Sequence, residues 1–270
     1  MVTRTGRVAA VAALWAGAVL MSAAPVGAGT TTTSVTTTTA PAASVLAPPR
    51  HGRWTILEIG DSLGTDLGGG LLHQLSTSPK IDLVVKSKSS TGLSNTGYYN
   101  WPQHLKEFLA QYHPQLTIFL LGGNDEQGIE YQGHGLAFNT PAWRTQYAKN
   151  VASMMFETTR ANSAALWIGM PIMAPNGYRQ GMQVINSIFK AVAATNPRVT
   201  FLPTWSFFAN PRGEFRYSGW VDGRIQVIRQ PDGIHPTAVG QNVLATYVVS
   251  KLHTVYGLPA RAAYPQVFAK

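Results

Sequence analysis

The chain has 270 residues, no cysteine and a formal net charge of +9 at pH 7. The lack of cysteine excludes disulfide bonds, thiol nucleophiles, thiolate metal sites and lipid attachment through a cysteine. The basic residues are scattered, so the charge favours weak attraction to anionic polymers rather than nucleic-acid binding, which needs a basic stripe or a known motif.

Residues 1–28 have the features of a secretory signal peptide. Arg4 and Arg7 form a positive n-region, residues 8–21 are apolar and uncharged, and small residues at 26–28 offer a cleavage site. A retained membrane anchor is the alternative, but the apolar stretch spans only about 21 Å as a helix, whereas a bilayer core is about 30 Å thick. We therefore expect cleavage, which lowers the net charge from +9 to +7 by removing two arginines, and an extracytoplasmic, envelope-associated protein.

Residues 29–52 are rich in threonine and proline. A segment with so few apolar side chains buries too little surface to offset the entropy lost on ordering. We therefore predict an extended linker that holds a folded domain away from a wall or membrane. Residues 53–270 are enough for one domain with its own core.

This domain alternates short apolar runs with longer segments of helical periodicity. The predicted strands are residues 54–59, 81–85, 116–121, 165–170 and 199–202, and the predicted helices are residues 63–75, 102–112, 141–161, 180–194 and 236–256. Such alternation predicts βαβ units, and continuously apolar strands indicate a sheet covered on both faces. The fold class is therefore α/β, a three-layer α/β/α sandwich with about five parallel strands.

Three polar motifs lie at the boundaries of these elements. Gly-Asp-Ser-Leu at 60–63 follows the first strand, Gly-Gly-Asn-Asp at 122–125 follows the third, and Asp-Gly-Ile-His-Pro at 232–236 precedes the last helix. Each motif is common by chance. Their positions are informative together, because open α/β sheets bind ligands beyond the carboxyl ends of their strands.

The motifs contain the residue types that acyl transfer requires. Ser62 can act as a nucleophile once a base takes its proton, and His235 can be that base near neutral pH. Asp232, three residues earlier, can fix the histidine tautomer and stabilise the imidazolium. Negative charge develops on the substrate oxygen, for which the Ser62 N–H, the Asn124 amide and a glycine N–H are candidate donors.

The arrangement resembles the SGNH hydrolase superfamily, also called GDSL esterases, and in particular its bacterial DUF459 group, over roughly residues 55–256. The matching positions are residues 60–63, Ser-Thr-Gly-Leu at 90–93, residues 122–125, Asp232 and His235, with Trp101, Trp143, Tyr147, residues 167–171 and Arg229 as further context. The resemblance implies a flavodoxin-like SGNH-hydrolase fold, a triad of Ser62, Asp232 and His235, and an oxyanion hole formed by Ser62, Gly92 and Asn124. It implies no cofactor and no metal.

The expected function is that of a serine esterase that hydrolyses O-acyl esters, with O-acetyl groups on cell-envelope carbohydrate as the favoured substrate. The expected partners are an acylated carbohydrate or another small ester and the cell wall, with no nucleic acid and no stable membrane span after cleavage. An O-acyltransferase with the same triad is one alternative, and a non-catalytic glycan-binding module is another.

Several residues allow two interpretations. Residues 60–64 also fit the Gly-x-Ser-x-Gly elbow of α/β-hydrolases, but there several strands normally precede the serine and here only one does. Asp232 and His235 can be metal ligands, although no third ligand has a matching spacing. Arg229 can hold a substrate anion or brace Asp232. The glycines at 68–70 permit close packing or a mobile loop.

Other features are expected to be structural. Trp101, Trp143 and Tyr147 fit the core better than a sugar-binding cleft. Asp61 and Asp125 are expected to cap or brace loops. Residues 126–140 are interpreted as an insertion near the site, and residues 206–228 as a hairpin or lid.

Overall fold

The computed structural model describes residues 46–269. The predicted signal peptide and most of the predicted linker lie outside these residues and stay predictions. Between residues 46 and 269, no helix combines the length and the apolar composition that crossing a bilayer requires.

A parallel sheet of five strands forms the centre of the domain. The strands are β1 (Trp54–Gly60), β2 (Ile81–Val85), β3 (Leu116–Leu120), β6 (Ala164–Ile168) and β7 (Val199–Leu202). Their order is β2-β1-β3-β6-β7, and β3 and β6 are buried at every position, as strands covered on both faces should be. The predicted fold class is confirmed.

Helices cover both faces of this sheet. They are α1 (Ser62–Gln74), α2 (Trp101–Tyr112), α3 (Pro141–Arg160), α4 (Asn176–Ala193), the short α5 (Trp205–Phe208) and α6 (Ala238–Tyr256). Helix α1 packs against α6, whereas α3 packs against both α2 and α4. Right-handed crossovers place these two groups on opposite faces, which gives the three layers. The start of α6 falls two residues later than predicted, because Thr237 caps it by accepting from the Gly240 N–H at 3.2 Å.

Two small antiparallel sheets lie outside the central one. Strands β4 (Ile129–Tyr131) and β5 (His134–Leu136) form a hairpin, and β8 (Ser218–Val221) pairs with β9 (Arg224–Val227) and with β10 (Phe268–Ala269). The first hairpin occupies the predicted insertion at 126–140. The second lies in the segment interpreted as a hairpin or lid.

The three large aromatic residues for which a sugar-binding cleft was the alternative belong to the core. Trp101, Trp143 and Tyr147 are each 0% exposed, and the rings of Trp143 and Tyr147 stack with their centroids 4.6 Å apart. Rings enclosed in this way cannot line a sugar-binding cleft, so of the two interpretations core packing is correct.

The order of the sheet strands determines where a ligand can bind. From β1 the chain crosses to β2 on one side, and it then returns to β3 on the other side. The carboxyl ends of β1 and β3 therefore flank a crevice at the point where the strand order reverses. Residues 60–63 and 122–125 lie at these two ends.

A buried carboxyl group in the middle of β1 makes stability depend on pH. Glu58 is 0% exposed, and both of its carboxyl oxygens lie within 2.9 Å of Ser87 Oγ. Burial, assisted by the charge of Asp61 and opposed by Ser87, raises the pKa of Glu58 from 4.5 to about 8. Since the folded state holds this proton more tightly, the stabilisation is complete below pH 4.5 and is lost as the pH rises towards 8.

We therefore expect Glu58→Gln, which keeps the shape without the titration, to raise Tm at pH 8.5 and to change it little at pH 5. One pKa unit corresponds to about 1.4 kcal/mol, so the difference between the two conditions should reach roughly a few kcal/mol. Thermal unfolding at both pH values measures it. Glu107→Gln, at an exposed carboxylate on α2, is the control. An equal effect of Glu58→Gln at both pH values would contradict the assignment.

Candidate active site

Ser62 is the first residue of α1 and lies two residues after the end of β1. The preceding residue, Asp61, caps the helix, with its Oδ1 accepting from the Leu63 N–H at 2.9 Å. Its Oδ2 accepts from the N–H groups of Gly122 at 2.9 Å and Gly123 at 2.7 Å. One buried carboxylate therefore joins the loop after β1 to the loop after β3. Burial raises the pKa of Asp61 to about 6, although the three N–H donors act in the opposite direction.

His235 reaches Ser62 from the loop before α6. Its Nε2 lies 2.9 Å from Ser62 Oγ, and its Nδ1 lies 2.7 Å from Asp232 Oδ2. With Nδ1 protonated and donating to Asp232, Nε2 is free to accept the Ser62 proton. The three side chains therefore form a continuous hydrogen-bonded chain. Its contact between Ser62 and His235 joins residues that are 173 positions apart in the sequence.

Asp232 is kept ionised by the turn that carries it. Its Oδ1 accepts from the N–H groups of Ile234 at 2.8 Å and His235 at 3.0 Å. Partial burial acts to raise the pKa of Asp232, but hydrogen bonds from the His235 side chain and from these two N–H groups outweigh it and lower the pKa below its ordinary value. The carboxylate is thus an anion at neutral pH, as orienting an imidazole requires.

Arg229 lies beneath this turn and is 2% exposed. It donates to the carbonyl oxygens of Ile234 at 3.1 Å and Ile172 at 3.4 Å, and its guanidinium stacks 4.5 Å from the ring centroid of Phe208. Because it is buried, it is not available to a substrate anion. The geometry favours the other interpretation, in which Arg229 braces the loop that contains Asp232.

The predicted oxyanion donors come from two loops that touch. Asn124 Nδ2 donates to the Thr91 carbonyl at 2.9 Å, and the same amide has a second N–H with which it can donate elsewhere. The Gly92 N–H has no acceptor among residues 46–269. As the first residue of α1, Ser62 also has an N–H without an intrahelical acceptor.

Asp125 holds the 91–94 loop in place. Its buried carboxylate accepts from the N–H groups of Leu93 at 3.0 Å and Ser94 at 2.8 Å, and from Tyr147 Oη at 2.7 Å. A Cβ at Gly92 would overlap this carboxylate, so the loop can close around Asp125 only with glycine there. The expected bracing role of Asp125 agrees with these contacts, whereas its link to Tyr147 was not predicted.

Two residues near Ser62 have no counterpart in the sequence motifs. Tyr178 Oη donates to the Gly123 carbonyl, and nothing in the sequence indicated this contact across the fold. Asp66 lies on α1 with one buried carboxylate oxygen. Its spacing of four residues from Ser62 on a predicted helix was the signal that could have identified it.

A surface cavity of about 420 Å³ adjoins the two loops. It is lined by Ser94, Asn95, Thr96, Gly97, Gln127, Gly128 and Glu130. Its walls begin two residues beyond Gly92 and three residues beyond Asn124. Hydroxyl, amide and carboxylate groups therefore contribute part of the cavity surface.

Metal ligation was the alternative for Asp232 and His235. Within residues 46–269, no group of three His, Cys, Asp or Glu side chains is placed to hold a metal ion. Instead, His235 directs its Nδ1 to Asp232 and its Nε2 to Ser62.

Comparisons with known proteins agree with this architecture. A family model described as "Protein of unknown function (DUF459)" matches residues 55–251. No curated protein matches the chain.

Solved structures share the fold at low sequence identity. TesA matches with a TM-score of 0.52 and 24% identity, over 74% of this chain and 99% of TesA. A GDSL-like lipase from Bacteroides thetaiotaomicron matches with a TM-score of 0.53 and 16% identity, over 77% of this chain and 92% of the lipase. A catalytic mutant of Axe2, an acetylxylan esterase from Geobacillus stearothermophilus, matches with a TM-score of 0.53 and 17% identity, over 76% and 96% of the two chains. At these identities the likeness concerns the fold.

Proposed function

The chain belongs to the DUF459 family and has the SGNH-hydrolase fold, and on this premise we propose that it is a serine esterase. One observation carries the proposal: His235 lies between Ser62 and Asp232, with contacts of 2.9 Å and 2.7 Å. These are the distances at which an imidazole can take a hydroxyl proton while a carboxylate stabilises the resulting cation. The esterase and lipase descriptions of the neighbouring folds point in the same direction.

In the proposed reaction, Ser62 Oγ forms a bond to the ester carbonyl carbon while His235 Nε2 takes its proton. The carbonyl oxygen becomes an oxyanion, for which the N–H groups of Ser62 and Gly92 and the amide of Asn124 are the proposed donors. When the intermediate collapses, the ester C–O bond breaks and the alcohol leaves with the proton from His235. Water then attacks the acyl-enzyme and loses a proton to His235. The bond between the acyl carbon and Ser62 Oγ breaks, His235 returns the proton to Ser62 Oγ, and the carboxylic acid leaves.

The proposed substrate is an O-acyl ester, with O-acetyl favoured, on a carbohydrate. The cavity next to the oxyanion loops supports this choice, because it contains side-chain hydroxyl and amide groups that suit a hydroxyl-rich alcohol. Axe2, which shares the fold, is described as an acetylxylan esterase. Export to the cell envelope is also proposed, and it rests on residues 1–28 and on the net charge of +9.

The test of the proposed function is to label the nucleophile covalently. The purified full-length protein should hydrolyse p-nitrophenyl acetate, and a fluorophosphonate should stop that activity by forming a bond to Ser62 Oγ. Mass spectrometry of the digested protein should find one label, on the peptide that contains Ser62. A label on another residue, or full activity after complete labelling of Ser62, would refute the proposal. Acetyl transfer to an added glycan would instead identify the acyltransferase alternative.

A further inference from the structure

Asp66 has a carboxylate near the proposed triad, and this carboxylate has no role in the proposed ester hydrolysis. It lies four residues after Ser62 on α1, and therefore on the same side of the helix. Its Oδ1 accepts from Gln241 Nε2 at 2.8 Å. Its Oδ2 is buried and accepts no hydrogen bond within the described part of the chain. An unpaired carboxylate oxygen out of contact with water is costly, so its presence needs an explanation.

The packing of α1 on α6 keeps Asp66 at a fixed position relative to His235. A Cβ at Gly70 would lie 2.7 Å from the Gln241 carbonyl oxygen, so glycine allows the two helices to cross closely at Gln241. The same residue holds the Asp66 side chain through its amide. Since α6 begins three residues after His235, a shift of Asp66 would need a shift of the helix that follows the base. Of the two interpretations of Gly68 to Gly70, close packing agrees with this contact.

Three charged or titratable groups face Asp66, and they come from two other segments. His235 and Asp232 approach from the loop before α6, and Arg229 approaches from the residues after β9. Burial raises the pKa of Asp66, while His235 and Arg229 act to lower it and Asp232 acts to raise it. The charges of His235, Asp232 and Arg229 therefore all act on Asp66.

Because Arg229 is positively charged, the carboxylate of Asp232 alone cannot balance both Arg229 and protonated His235. Burial lowers the pKa of Arg229 to about 10, so it stays a cation at neutral pH. Within residues 46–269 no carboxylate lies within ion-pair distance of it. Asp232 and Asp66 are the two anions whose charges act on it.

The sum of these charges changes when the base takes a proton. These four residues together carry one net negative charge when Arg229 is protonated, Asp66 and Asp232 are ionised, and His235 is neutral. When the Ser62 proton moves to His235 Nε2, the net charge becomes zero. Without the charge of Asp66, the same step would leave Arg229, Asp232 and His235 with one net positive charge that only the oxyanion on the substrate would balance, in a partly buried site where charge interactions are stronger than in water.

We propose that Asp66 is a positioning residue whose carboxylate balances Arg229 and so stabilises protonated His235 during attack by Ser62. This inference rests on the proposed function, because it assigns to Asp66 an effect on that reaction. The effect is exerted through His235, and Asp66 does not contact the reacting atoms.

The test is Asp66→Asn, which removes the charge and keeps both the shape and an acceptor for Gln241. Plateau kcat/KM for p-nitrophenyl acetate should fall by about three- to tenfold, because the base is weakened. The acidic limb of the kcat/KM profile should move to lower pH by roughly half a unit to one unit, since the imidazolium loses an attracting anion. NMR titration of the His235 ring should show the same displacement without any turnover.

Two control variants separate charge from structure. Gln241→Leu breaks the contact between the helices but keeps all the charges, so the acidic limb should move less than it does in Asp66→Asn. Asp222→Asn makes the same chemical change in the exposed turn between β8 and β9 and should alter neither measurement. The proposal is overturned if Asp66→Asn leaves the limb and the NMR titration unchanged, or if Gln241→Leu moves them equally. A wild-type protein that hydrolyses no ester would refute the proposed function, and the NMR titration would still decide the effect of Asp66.

Discussion

Replacing Ser62 with alanine is expected to lower kcat/KM for p-nitrophenyl acetate by about 10⁴-fold or more, because the nucleophile and its base act as one unit. Without the hydroxyl, the reaction depends on water and on the oxyanion donors alone. The fold should be unaffected, since the Ser62 side chain is partly exposed and the hydrogen bond of its hydroxyl is to His235. Steady-state kinetics and circular dichroism measure the two effects.

The matched control for this variant is Ser76→Ala. Ser76 is exposed beyond the end of α1, where its hydroxyl donates to the His73 carbonyl at 2.8 Å. The same chemical change there should leave kcat/KM within about twofold of wild type, as is usual for an exposed site. If Ser62→Ala retains wild-type activity, another residue is the nucleophile and the proposed triad is wrong.

Asn124→Ala should reduce kcat by about 10²–10³-fold with little change in KM, because an oxyanion donor binds the transition state more strongly than the substrate. The Asn124 amide also donates to the Thr91 carbonyl, so part of the loss could come from a displaced 91–94 loop. Asp125 opposes such a displacement, because its bonds to Leu93 and Ser94 stay intact. Measurement of kcat and KM separately therefore distinguishes a lost donor from a disordered site.

A comparable asparagine at the other end of the sheet, where the strands begin, provides the control. Asn196 lies just before β7, and its Nδ2 donates to Thr159 Oγ1 at 3.1 Å. Asn196→Ala should lower Tm somewhat and leave kcat unchanged. A rise in KM without a fall in kcat for Asn124→Ala would show that Asn124 positions the substrate but does not stabilise the oxyanion.

The central sheet was predictable because its strands are mainly apolar and because glycine or proline stands at or just after the end of four of the five. Residues 54–59, 116–121 and 165–170 were predicted as strands, and β1, β3 and β6 begin within one residue of those positions. The boundaries of the helices were less accurate. Helix α4 begins at Asn176, four residues before the predicted start, because its first turn has little apolar periodicity by which the sequence could locate it.

The predicted site residues lie next to the ends of strands or the start of a helix, as expected. Ser62, Asn124 and His235 were identified by their types and by their positions next to strands or a helix, and the carboxyl ends of β1 and β3 bring the first two motifs to one crevice. Gly92 has a weaker signal, since single glycines occur in many loops. Its place depends on the carboxylate of Asp125, which is 33 positions further along the chain.

Local patterns in the chain were therefore sufficient for the fold class and for the residue types that an acyl-transfer site needs, because periodicity and turn chemistry act over a few neighbouring positions. The folded domain was needed to learn that Arg229 is buried, that Trp143 and Tyr147 pack in the core, and that Asp66 faces His235. Burial and electrostatic contact depend on segments that are far apart in the chain, and no short-range pattern encodes their meeting.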